Sequence, residues 1–113
     1  MKIVDIFIFD DHAMLRKGLI ACFSDSSVYR IAGEADNIEN AKKVVASYKP
    51  ETDASIPAVA IVDVGFSSNV NTPETVQGFE LVKYINQTGK NIKCVMFSSL
   101  SRKVFQMCRL LLK

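Results

Sequence analysis

The sequence predicts an α/β domain built on a doubly wound parallel sheet. Three observations predict it. Apolar runs of strand length alternate with segments of helical spacing, four times over. The runs at 3–9 and 58–64 are apolar at nearly every position, as in strands covered on both faces. The chain has 113 residues, of which 49% are hydrophobic, which suits one domain with a buried core.

Each element follows in order. Residues 3–9 read as the first strand, ending at the adjacent acids Asp10 and Asp11. Residues 12–24 then read as a helix, because Met14/Leu15, Gly18/Leu19 and Cys22/Phe23 recur every four residues. "YRIAGEAD" (29–36) reads as a second strand. Ile38, Ala41, Val44/Val45 and Tyr48 place a helix over 38–48. "AVAIVDV" (58–64) is the third and most hydrophobic strand, and the turn-forming residues after it read as a long loop through Gly78. Phe79, Val82 and Ile85 resume helical spacing over 79–87, and "QTGKN" ends that helix. "IKCVMFSS" (92–99) is a fourth strand and 101–112 a final helix. Strand–helix alternation of this kind implies right-handed crossovers and a ligand site outside the carboxyl ends of the strands.

Composition excludes several classes. A formal net charge of +2, with the basic residues scattered, argues against a surface for nucleic acid or an anionic membrane. Cys22, Cys94 and Cys108 form no CxxC pair and fit a reducing cytoplasm, each reading as a small core hydrophobe. The acids at positions 5, 10 and 11 interrupt the only N-terminal apolar run, so no signal peptide is expected. "VFQMCRLLLK" is too short to span a bilayer. The expected location is cytoplasmic.

Chemistry gathers at the strand ends. The first strand ends at Asp10-Asp11, the third at Asp63, the fourth at Ser98-Ser99. Two like charges side by side raise each other's pKa and destabilise the fold unless a cation sits between them. If these strands are neighbours, three carboxylates and a hydroxyl converge. Without a matching base such a set is poor acid–base machinery, but it is a good site for a hard cation such as Mg²⁺. His12, the single histidine, reads as an exposed residue at a helix start.

With these residues in view, the chain resembles the receiver domain of bacterial two-component response regulators, over essentially its whole length. "DDHAMLRKGL" is similar to the first loop and helix of the LuxR/NarL-type subfamily. "IVDV" followed by "GFELVKYI" resembles the phosphoacceptor strand and third helix, and "VMFSS" the strand that ends in a switch hydroxyl. The resemblance implies a flavodoxin-like sheet of order 2-1-3-4. It implies that Asp63 accepts a phosphoryl group, that Asp10, Asp11 and Asp63 hold Mg²⁺ with the backbone carbonyl of Gly65, and that Ser98 answers phosphorylation. The donor would be a sensor histidine kinase or phosphotransfer protein, and the domain a switch rather than an enzyme. Transcription regulation would act through a separate helix-turn-helix, since this domain itself is not expected to bind nucleic acid or membrane.

Two departures from that pattern carry expectations. The loop over 64–78 is longer than the family's, and could narrow access to the site or dock a partner. The sequence also stops at Lys113, where the family continues into a fifth strand and helix, so it is expected to be a C-terminally truncated receiver over 1–113. The fifth-strand lysine of the family has no counterpart, so phosphorylation is expected to be slow. A pseudo-receiver, an interaction module that is never phosphorylated, is the alternative. A haloacid-dehalogenase-type phosphatase fits less well, because neither "IFDDH" nor "IVDVG" matches its nucleophile motif.

An edge strand without its neighbour exposes unpaired backbone and apolar surface. About 500 Å² uncovered at about 25 cal/mol/Å² forfeits up to about 12 kcal/mol, comparable with a domain's whole stability. A homo-oligomer is therefore expected. Sedimentation at micromolar concentration should report a dimer or larger species, and a compact, cooperatively melting monomer would contradict the expectation.

Overall fold

A computed structural model of the chain describes residues 3–50, 53–63 and 74–97, with the backbone alone at 74–77. The elements are β1 (Val4–Phe9), α1 (Ala13–Ser24), β2 (Tyr29–Ala35), α2 (Ile38–Ser47), β3 (Ala58–Asp63), α3 (Glu74–Gln87) and β4 (Ile92–Phe97). All pairings are parallel, and the order is β2-β1-β3-β4. This is the doubly wound sheet expected from the alternation of periods. Ser98, Ser99, the segment 64–73 with Gly65, and the helix expected over 101–112 lie outside the described residues.

β1 runs through the middle of the sheet, and the apolar run over its residues 6–9 has a direct cause. Ile6, Phe7, Ile8 and Phe9 are at most 2% exposed, with side chains alternating between two covered faces. On one face, Phe7 and Phe9 join Ala60, Val62, Leu81 and Ile85 in a core beneath α2 and α3. The Phe7 ring meets Phe9 at 5.8 Å and Tyr48 edge-on at 4.9 Å. α1 covers the other face over β1 and β2.

Three contacts hold α2 in place against the sheet. β2 carries one extra residue, Ala32, relative to β1, because Ile6 aligns with Ile31 and Phe7 with Gly33. Gly33 then lies so close to α2 that a Cβ would meet Val44 Cγ1 at 2.5 Å, and only glycine fits. Lys90 Nζ donates to the carbonyls of Val45, Ala46 and Tyr48, capping the C-terminus of α2 with a positive charge. Asp5, buried in β1, accepts from Tyr48 Oη and from Arg30 Nε. The third helix ends as expected: Gly89 adopts φ +71°, a left-handed value that glycine reaches without strain.

Local readings need correction in three places. α3 begins at Glu74, not Phe79, so the helix takes 74–78 from the expected loop. Thr75, Val76 and Gly78 are weak helix formers, which hid the start, but Gly78 is buried within the helix. In α1 the side that packs is narrower than the stripe read from spacing. Met14 is 85% exposed, Leu15, Leu19 and Phe23 are half-buried, and no residue of α1 is fully buried. Cys22 is exposed rather than a core residue, and Cys94 is half-buried. Cys108 lies outside the described residues.

Candidate metal centre

Register brings the acids together. Phe9 of β1 aligns with Val62 of β3, so Asp10 and Asp63 follow side by side at the carboxyl edge of the sheet. Both are completely buried, which is uncommon for carboxylates without a charged partner or a metal. Asp63 aligns in turn with Phe97 of β4, the residue before Ser98. Thus the expected adjacency of the strand ends holds for β1, β3 and β4.

The loop from β1 to α1 is pinned at several points. The Asp10 N–H donates to Ala35 O at 3.2 Å, tying the loop to the end of β2. Arg16, from the first turn of α1, donates through Nη1 to Asp10 O at 2.8 Å and through Nε to Glu34 at 3.1 Å. The His12 N–H donates to Asp10 Oδ1 at 2.7 Å, which orients that carboxylate within the loop.

His12 is the residue whose place the sequence concealed. It is exposed at the helix start, as expected, with 53% of its side chain accessible. Its ring nevertheless turns into the acids. Nδ1 lies 3.1 Å from Asp10 Oδ1, 3.1 Å from Asp11 Oδ1 and 3.7 Å from Asp63 Oδ2. One donor atom each from Asp10, Asp11, His12 and Asp63 falls within 4.8 Å of the rest. Position directly after an acidic pair was the one signal available. Arg16 was likewise missed, since its role depends on Asp10 and Glu34 meeting across two strands.

The buried charge around it shifts His12. Its hydrogen bond to Asp10 raises the imidazole pKa above the ordinary value; burial opposes that rise, and the charges of Asp11, Asp10 and Asp63 add to it. A raised folded-state pKa stabilises the fold fully below the unfolded value of about 6.5, and that contribution disappears as pH rises through the folded value. In metal-free buffer, an NMR titration of the single imidazole should find a midpoint above that of a histidine peptide. Asp10→Asn should bring it back toward the peptide value, and an unmoved midpoint would contradict the assigned cause.

The donor set fits a divalent cation on structural grounds. Asp10 Oδ2 belongs to a carboxylate with no solvent exposure and makes no hydrogen bond among the described residues. An unpaired acceptor in that setting is costly unless a cation satisfies it. Carboxylate oxygens are the ligands that hard cations take. Among the described residues, no helix is long and apolar enough to cross a membrane.

No family model and no curated protein matches this chain. Solved structures do. The signal receiver domain of the putative response regulator NarL from Mycobacterium tuberculosis superposes with a TM-score of 0.64 at 18% identity, covering 98% of this chain and 78% of that one. A LuxR-family two-component response regulator from Aurantimonas sp. SI85-9A1 gives a TM-score of 0.67 at 18% identity, over 94% of this chain and 66% of that one. The MaeR response regulator bound to beryllium trifluoride gives 0.65 at 14% identity, over 98% and 80% respectively. At such identities the likeness is one of fold, and it agrees with the sheet order and the flanking helices. The chain has the flavodoxin-like receiver fold of two-component response regulators.

Proposed function

We propose that this chain is a phosphorelay receiver that accepts a phosphoryl group on Asp63. The carrying observation is the placement of Asp63, buried at the end of β3 beside Asp10 and within the acidic cluster. Its carboxylate oxygen attacks the phosphorus of a donor, a histidine kinase or a phosphotransfer protein. The donor's leaving group departs with the bonding electrons, and an aspartyl phosphate remains. Asp10, Asp11 and Asp63 would hold Mg²⁺, together with the Gly65 carbonyl. Bound there, Mg²⁺ supplies neutralisation of the charge on the transferring group. The chain's own residues do the positioning: Arg16 and the Ala35 carbonyl hold the Asp10 backbone, and the His12 N–H holds its carboxylate. Ser98 would then hydrogen-bond the new phosphoryl oxygens and bias partner binding. Gly65 and Ser98 enter this reading from the sequence resemblance.

Acetyl phosphate with Mg²⁺ tests it. Intact-mass spectrometry should find a single phosphoryl adduct that hydroxylamine removes and that Asp63→Asn abolishes. A response regulator of this fold is bound to beryllium trifluoride. That anion becomes a tetrahedral phosphoryl mimic on a carboxylate, so it should also shift amide resonances of wild type but not of Asp63→Asn. Saturable Mg²⁺ binding with no adduct and no fluoride response would refute phosphoacceptance and leave a pseudo-receiver.

A further inference from the structure

We propose that His12 is a fourth ligand of the metal centre, a nitrogen donor that makes the site select borderline divalent transition metals over Mg²⁺. The proposal rests on the metal-centre reading above and goes beyond it, since Mg²⁺ takes oxygen ligands.

Donor counting carries the first part. Carboxylate oxygens of Asp10, Asp11 and Asp63 all lie within 3.7 Å of the one atom His12 Nδ1. A single ring nitrogen can offer one proton in one direction, so it cannot serve three acceptors well. Asp10 Oδ2, fully buried, makes no hydrogen bond among the described residues. Among the described residues, Asp10 and Asp11 thus present more lone pairs than protons, and a cation among the four donors resolves the mismatch.

Distances carry the second part. Adjacent ligands in an octahedron of metal–ligand length about 2.1 Å stand about 3.0 Å apart. The 3.1 Å separations of Nδ1 from Asp10 Oδ1 and Asp11 Oδ1 match that edge. The ring therefore already stands where a ligand sharing the ion with both aspartates would stand. His12 reaches this point because it is the residue before α1, with extended backbone at φ −91° and ψ 104°, and its side chain makes no capping bond to the helix. Imidazole favours Co²⁺, Ni²⁺ and Zn²⁺ and contributes little to Mg²⁺ binding.

Calorimetric titrations of the full chain with Ni²⁺ and with Mg²⁺ test the assignment, above the titration range of the imidazole. A Cys22→Ser background removes the one thiol exposed among the described residues as a competing soft donor. Ni²⁺ should bind at least about tenfold more tightly than Mg²⁺, and His12→Ala should remove at least about tenfold of Ni²⁺ affinity while moving Mg²⁺ by less than about threefold. An independent reading needs no variant: Co²⁺ should give strongly hyperfine-shifted resonances from the chain's one imidazole. Equal losses for both ions, or unshifted imidazole resonances, would overturn the proposal while leaving an all-oxygen Mg²⁺ site standing. If neither ion binds the parent chain, the metal-centre reading fails together with it.

Discussion

Asp10→Asn is expected to weaken Mg²⁺ binding at least about tenfold and to raise the melting temperature of the metal-free protein by several degrees. Both effects come from one cause. Asp10 has no solvent exposure and shares a space under 5 Å wide with Asp11 and Asp63. Like charges about 4 Å apart repel by up to about 4 kcal/mol at an effective dielectric near 20, and removing one relieves part of that. The amide oxygen can still accept from the His12 N–H, so the loop keeps its shape. The His12 ring, in hydrogen-bond contact with Asp10, offsets some of the repulsion, so a net gain of about 1 kcal/mol is expected, or about 4–8 °C for a domain near this size. Thermal melts with and without Mg²⁺ check it, because the order should invert: the variant melts higher without the ion, and the parent gains more from adding it. A variant that melts lower in metal-free buffer would show that the acids are not held under repulsion.

Phe7→Ala is expected to remove about 3–5 kcal/mol of stability, a large part of the roughly 5–15 kcal/mol of a typical domain. Phe7 lies on the central strand, has no exposure, and touches rings on both sides, Phe9 along the sheet and Tyr48 at the end of α2. Its ring also lies against Gly33, where β2 bulges. Collapse into the space left behind would need α2 to move, and α2 is tethered by Lys90 and by the Tyr48–Asp5 bond. Phe7→Leu should lose less, because it keeps most of the volume. Urea melts of the two variants give the comparison. A Phe7→Ala loss under about 1.5 kcal/mol would mean that this core can close over the gap.

The alternation of apolar runs and helical spacing was enough to read the element order, and β1 and β3 announced their burial by being apolar at nearly every position. Both signals are local, because a strand covered on two faces and a helix covered on one leave different periods in the chain. The acidic trio was legible for the same reason. Asp10 and Asp63 each terminate a strand, and parallel strands in register put their ends on one edge. What depends on distance through space was not legible. The ring of His12 faces three carboxylates that only folding brings together, and Arg16 joins Asp10 to Glu34 across two strands. Lys90 caps a helix that ended more than forty residues earlier in the chain. The start of α3 was hidden because Thr75, Val76 and Gly78 are weak helix formers, and intrinsic propensity is a weak guide to where a helix begins. The residues alone therefore determined which groups reach the edge of the sheet. Tertiary contacts decided which of them meet, since the energy of a charge or a hydrogen bond depends on separation in space and not on separation along the chain.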